Sequence, residues 1–156
     1  MTIALLRSLV HNIGVLIVGL GLAYLGTVVD SLLGLPRSTA VLVTAAAALL
    51  LALGFLVRVW ATFHFYTHGM RVISLEPQAT LITSGPYRFS RNPLYLGGNV
   101  FIFFGAALLL GSPTALVATA IHLPLMDRFI RREEAQLARR FGEPWQRYRK
   151  RVPRWL

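Results

Sequence analysis

The sequence has no cysteine and only six acidic residues among 156. Without cysteine there is no disulfide framework and no thiolate-ligated metal site. Charged residues make up 14 % of the chain, against roughly 25 % in an average soluble domain, too few to cover a 17.3 kDa globule in water. Disorder is excluded from the other direction, since it needs low hydrophobicity and this chain is 55 % hydrophobic with a mean hydropathy of +0.59. What the chain does have is positive charge: 16 Lys and Arg give a formal net charge of +10. Oil and basic charge in separate stretches of one chain point to a membrane protein.

A helix crosses the ~30 Å hydrocarbon core in about 20 residues, with ~17 as a practical minimum. The apolar runs predict four crossing helices, at about 9–29, 40–60, 93–110 and 113–130. Gly111-Ser112-Pro113 reads as a tight turn, so the last two are expected to form a hairpin. The first run is long and no A-x-A cleavage site follows it, so it is read as a retained span rather than a signal peptide. The expected fold is a single all-α integral membrane domain, residues 1–156. It has four transmembrane helices and cytoplasmic amphipathic C-terminal helices at 131–151.

The basic residues orient this arrangement. Arg37 lies in the loop between the first two spans, and the other fifteen fall on the opposite side or at span ends facing it. The positive-inside rule then puts both termini and the loop 65–92 in the cytoplasm. A cytoplasmic membrane is expected if the source is prokaryotic. The basic tail continues a membrane span, so anionic lipid headgroups are its expected partner, at roughly 1 kcal/mol per juxtamembrane basic residue. Nucleic acid is not expected, because grooves or aromatic platforms for bases are missing.

The tail carries a second pattern. Met126, Ile130, Leu137 and Phe141 form an apolar stripe on one helix face. Glu133 and Glu134 flank that stripe, each about 50° from its centre at 100° per residue. Neutralisation by nearby arginines is one reading of the pair. A cationic ligand, an ammonium or a sulfonium, is the other. The loop before residue 93 is the other dense stretch. Gly85-Pro86 is a turn signal, and Asn92-Pro93 reads as N-cap and first residue of a helix. Tyr87, Arg88, Arg91 and Tyr95 crowd around that helix N-terminus. Each has an interfacial explanation. Together they also offer bidentate carboxylate binding and aromatic faces for a ring or a cation. His64 and His68 have i, i+4 spacing, but no third ligand is evident nearby and no metal site is expected.

The string Gly85-Pro86-Tyr87, Arg91-Asn92-Pro93-Leu94-Tyr95-Leu96-Gly97, then Glu133-Glu134, Leu137, Phe141-Gly142, Tyr148 and Val152-Pro153-Arg154 resembles the isoprenylcysteine carboxyl methyltransferase family. It is similar also to the related phospholipid N-methyltransferases. The likeness covers roughly residues 79–154, and Arg58-x-Trp60-Ala61 adds a fragment at the end of a span. It implies an integral membrane enzyme that takes S-adenosylmethionine between the loop 65–92 and the C-terminal helix, and that methylates a lipophilic membrane-borne acceptor at the cytoplasmic face. Carried over by position, Leu81, Ile82, Tyr87, Asn92, Pro93, Leu94, Tyr95 and Glu133 are the expected cofactor contacts. Glu134 is the candidate base for an amine acceptor, and Arg58, Arg88, Arg91 and Arg128 are candidates to hold the cofactor or acceptor carboxylate. Arg58 reads equally well as a snorkelling interfacial residue.

Three positions depart from the family pattern. Asn92 stands where the family usually has histidine, and it cannot titrate. Ala79 stands where histidine is frequent. Phe129, next to Arg128, stands where eukaryotic members have a substrate-contacting arginine. The acceptor therefore stays open between a carboxylate, an amine and a thiol. Two other functions compete: an NADPH-dependent membrane reductase of the sterol-reductase type, and a non-catalytic protein whose tail binds anionic lipid or a partner. The adjacent carboxylates favour the methyltransferase, since a lipid-binding tail gains nothing from them.

Overall fold

A computed structural model describes residues 1–37, 40–70 and 80–156. Arg71 and Ala79 lie outside the described residues, as does part of the loop 65–92. The described chain is all helix apart from turns and loops. Its elements are α1 (Thr2–Leu32), α2 (Val41–Thr67), a short 3-10 turn (Gly85–Arg88), α3 (Pro93–Leu109), α4 (Pro113–Phe141) and α5 (Glu143–Arg151).

The expectation of four spans is overturned. Among the described residues only α1 and α2 are both long enough and apolar enough to cross a membrane. Only 28 % and 17 % of their apolar windows are buried, so they are not the core helices of a soluble globule. Leu22, Leu25, Leu42, Leu49 and Leu56 instead face outward. These two helices make the protein membrane-associated. The other two apolar runs fail for different reasons. α3 is shorter, and from Leu96 to Ile102 it is π-helical, with wide i→i+5 turns. α4 is long, and despite Pro124 inside it, it continues past residue 130 to Gly142, whose φ of 53° ends it. Asp127, Arg128, Arg131, Arg132 and the two glutamates therefore belong to the same helix as the apolar stretch. Its uncharged part, Pro113–Met126, is below the ~17-residue minimum. The expected hairpin of two spans is thus absent, and the amphipathic segment expected to begin at 131 is the second half of α4.

Packing between the helices relies on small residues. A Cβ on Gly54 would sit 2.6 Å from the carbonyl oxygen of Gly97, so α2 and α3 touch backbone to backbone. Ala23, Ala106, Ala107 and Ala115 join α1, α3 and α4 in an alanine-rich cluster. Polar pins hold both ends of the bundle. At one end Asp30, fully buried, accepts from the Ser112 hydroxyl at 2.5 Å and from the Thr114 backbone N–H at 3.0 Å. Ser112 in turn accepts from the Ala115 N–H, capping α4. At the other end Ser8, Asn12 and Thr62 form a fully buried hydrogen-bonded cluster between α1 and α2. The Asn12 amide donates to Thr62 Oγ1 at 2.7 Å and to the Ser8 carbonyl at 2.8 Å.

Candidate functional site

The Ser8–Asn12–Thr62 end of the bundle opens into a cavity of about 350 Å³, within the ~300–1,000 Å³ of small-ligand sites. Five segments build it: the first turns of α1, the end of α2, the loop 80–92 with the start of α3, the second half of α4, and α5. Eleven of the thirteen site residues singled out above line it; Arg88 and Arg128 do not. Arg128 is exposed, two positions and so about 200° from the fully buried Ile130.

The loop is fixed from the far end of the chain. The backbone N–H of Arg91 donates to the Pro153 carbonyl at 3.0 Å, and the Ser90 hydroxyl donates to the Arg154 carbonyl at 3.0 Å. The Tyr148 hydroxyl donates to the Tyr87 carbonyl at 2.8 Å. Asn92 sits at the N-cap position of α3, but its side chain makes no capping bond. Its amide turns away and donates to the Arg154 carbonyl at 3.2 Å and to Glu134 Oε1 at 3.3 Å. Pro93 occupies the first helical turn as expected.

The two adjacent glutamates have opposite surroundings. Glu134 is buried and clasped by cations: Arg154 donates through Nη2 at 2.7 Å and through Nε at 3.2 Å, and Arg91 Nη2 lies at 3.3 Å. The bond to Glu134 raises the pKa of Arg154, while burial lowers that of Arg91 and Glu134 restores part of it. Glu133 is half-buried and accepts one hydrogen bond, from the Tyr95 hydroxyl at 2.9 Å. Among the described residues it has no ion-pair partner. Burial raises its pKa above the ordinary carboxylate value, and the Tyr95 bond offsets only part of this.

Arg58 turns inward rather than snorkelling. Its Nε donates to Asn12 Oδ1 at 2.8 Å, its Nη1 donates to the Leu94 carbonyl at 2.8 Å, and Nη2 lies 3.3 Å from His11 Nε2. No carboxylate pairs with it among the described residues. It passes so close to α3 that a Cβ on Gly98 would stand 2.6 Å from Nη1. Leu81 and Ile82 supply apolar wall, Leu81 against Trp145 and Tyr148, Ile82 against Phe65 and Tyr87. Among the described residues, two buried polar atoms have no partner, Tyr87 Oη and Arg91 Nε. The Arg91 guanidinium lies 5.8 Å from the centre of the Trp145 ring.

The sequence model of the phospholipid methyltransferase family matches residues 42–144. The chain belongs to this family. It is therefore an S-adenosylmethionine-dependent methyltransferase, and membership implies binding of that cofactor. No curated protein and no solved structure matches the chain.

The residues of this methyltransferase fit such a group. S-adenosylmethionine carries a sulfonium and an ammonium, a carboxylate, and a flat base with polar edges. Among the described residues, the cavity is lined by a carboxylate without a cationic partner, by Arg91 and Tyr87, each with one buried polar atom that lacks a partner, and by an apolar wall. Sequence reasoning gave no site role to His11, Val15, Phe65, Asn99 or Trp145, and it used Tyr148 only as part of the family motif. His11 and Asn12 did carry a signal: polar side chains inside a membrane helix are functional candidates by default.

Proposed function

We propose that the protein transfers a methyl group from S-adenosylmethionine, held in the cavity beside Glu133, to a lipophilic acceptor that arrives from the bilayer. The observation that carries this reading is Glu133: a half-buried carboxylate oriented by Tyr95 and without a cationic partner among the described residues. Such a group costs desolvation energy until a cation arrives. The cofactor supplies a methyl group activated as a sulfonium, ready for in-line displacement. Everything else asked of the protein is positioning and exclusion of water.

In this reading Glu133 binds the cationic part of the cofactor, and Arg91 Nε its carboxylate. Leu81 and Ile82 cover the adenosine, and Tyr87 Oη meets a polar edge of it. Arg58 fixes the turn at Leu94 and Tyr95 through the Leu94 carbonyl. Glu134, already clasped by two guanidiniums, is a positioning residue that ties α4 to the tail rather than a base. With two spans, Arg7 and all basic residues from Arg58 onward share one side. The positive-inside rule makes that side cytoplasmic, with the exposed arginines of α4 and α5 near anionic headgroups.

The test is equilibrium binding of methyl-labelled S-adenosylmethionine to detergent-purified protein, then transfer of label to a total lipid extract. Glu133→Gln is expected to weaken binding by about 1 kcal/mol or more, the scale of a lost charge-assisted hydrogen bond. Wild-type protein that binds no S-adenosylmethionine would refute the reading.

A further inference from the structure

Leu42, Leu49, Leu53, Leu56 and Trp60 are exposed along α2. At 100° per residue all five fall within about 40° of Leu42, so they form one outward stripe. Past Trp60 the same face carries the half-buried His64 and the exposed Thr67. From Val41 to Trp60 the helix rises about 28 Å at 1.5 Å per residue, close to the ~30 Å hydrocarbon core. Leucine thus gives way to tryptophan, and tryptophan to polar groups, at the distance where the bilayer ends. That level is where tryptophan concentrates in membrane proteins, with its apolar body buried and its ring N–H wet.

A second aromatic ring stands beside Trp60 at this level. Phe89 is 60 % exposed, and its ring centre is 6.2 Å from that of Trp60. Phe89 belongs to the loop 80–92 and not to a span. The loop meets α2 at a further point: Gly85, with a φ of 58°, leaves no room for a Cβ against the His64 ring, which itself lies edge-on to Trp60. The loop therefore keeps the depth of the end of α2. Phe89 separates Tyr87 from Arg91, and both of those line the first cavity. The inward side of the loop is tied to Tyr148, Pro153 and Arg154. Its outward side presents Phe89 and the exposed Arg88.

We propose that Trp60 and Phe89 seat the loop 80–92 in the headgroup layer of the bilayer, with Arg88 reaching lipid phosphate, and that this seat holds Tyr87 and Arg91 in place for the cofactor. The partner of this surface is the membrane itself. The aromatic pair continues the lipid-facing stripe of α2 without a gap, and a basic residue adjoins it on the side where anionic headgroups attract arginine. In water the two rings would stay exposed together, whereas the headgroup layer covers them. The effect on the cofactor rests on the methyltransferase reading, and the depth of the loop does not.

The chain has no cysteine, so one introduced cysteine takes all of a thiol-reactive fluorophore. Phe89→Cys, Trp60→Cys, Leu49→Cys and Arg147→Cys, each in the full chain, are labelled in nanodiscs of phosphatidylcholine and phosphatidylglycerol. Quenchers are lipids with a nitroxide on the headgroup or deep in the acyl chain, and a water-soluble nitroxide. Labels at 89 and 60 are expected to respond at least twofold more to the headgroup nitroxide than to the deep one. The label at 49 is expected to show the reverse, and the label at 147 to respond most to the water-soluble quencher. A label at 89 that behaves like the one at 147 overturns the proposal. One shielded from lipid and water alike also overturns it, assigning the patch to a protein partner. S-adenosylmethionine binding is measured in the same nanodiscs. Phe89→Ser is expected to weaken it at least threefold, while Phe89→Trp, which keeps an interfacial ring, stays within twofold of wild type. Equal effects of the two substitutions overturn the coupling between seat and cofactor. Wild-type protein that binds no S-adenosylmethionine sinks the methyltransferase reading and leaves the depth measurement standing.

Discussion

The Tyr95 hydroxyl donates to Glu133 Oε2 at 2.9 Å, joining the start of α3 to the middle of α4 across the cavity. Among the described residues it is the one bond to that carboxylate, and burial outweighs it, so the pKa stays raised. The sign of the consequence is fixed. A carboxyl whose pKa is higher folded than unfolded costs stability above its folded pKa, and the cost vanishes as pH falls below the ordinary carboxylate value. Glu133→Gln removes that cost. At neutral pH the cofactor-free variant is expected to melt at or above the wild-type temperature while binding S-adenosylmethionine more weakly. Thermal melts with and without cofactor check both halves, and a variant that melts well below wild type contradicts the assignment.

Cofactor affinity is expected to fall on acidification through the raised pKa of Glu133, because the protonated form no longer attracts a cation. Tyr95→Phe removes the bond that holds this pKa down, so the loss begins at higher pH. Calorimetric titrations across a pH series distinguish this from a uniform drop in affinity, which is what misfolding would produce.

Glu134 predicts the opposite behaviour from its neighbour. Breaking a buried ion pair by removing one partner costs about 3–5 kcal/mol; Glu134→Gln leaves Arg91 without a carboxylate partner among the described residues, while Arg154 keeps only Asp127 at 3.4 Å. The variant is expected to lose stability on that scale. Hydrogen exchange is expected to accelerate in residues 80–95 and 145–154 together, since one clasp holds both. Exchange that changes in only one of the two segments refutes the shared clasp.

Asp30 gives a control at the far end of the bundle. Asp30→Ala leaves the Ser112 hydroxyl and the Thr114 N–H without their acceptor, at about 1–3 kcal/mol for each buried unsatisfied group. The melting temperature is expected to drop while S-adenosylmethionine affinity in the surviving folded protein stays within twofold of wild type.

Gly98→Ala probes the path of Arg58. A Cβ there would stand 2.6 Å from the guanidinium, so Arg58 must leave the Leu94 carbonyl or α3 must shift, at a cost of about 1–3 kcal/mol. Destabilisation together with weaker cofactor binding is the expected outcome, read by melting and by binding.

The all-helical class and the two long apolar helices were legible in the sequence because hydropathy over some 20 residues is a local property. The number of spans was not. The run from Pro113 was read through to residue 130 across Asp127 and Arg128, whereas its uncharged stretch ends at Met126 and the helix itself runs on to Phe141. The loop around Arg91-Asn92-Pro93 was legible as a cluster of unusual density. The distinction between Glu133 and Glu134 was hidden, because neither periodicity nor spacing says which neighbour Arg154 reaches. Arg128 was misplaced for a related reason: proximity in sequence to Glu133 does not survive a rotation of 100° per residue. His11 escaped notice because its partner, Arg58, is 47 positions away.

The strap formed by Pro153 and Arg154 has a consequence in time. Ser90 and its partner Arg154 are 64 residues apart in sequence, a gap a ribosome translates in on the order of 3–13 s. Through that interval α1 and α2 are already available to the membrane, and the loop has left the ribosome without its partner. The loop of the first cavity is thus fixed only after Pro153 and Arg154 are made, and premature termination before residue 153 yields a membrane-inserted protein whose loop is never strapped down.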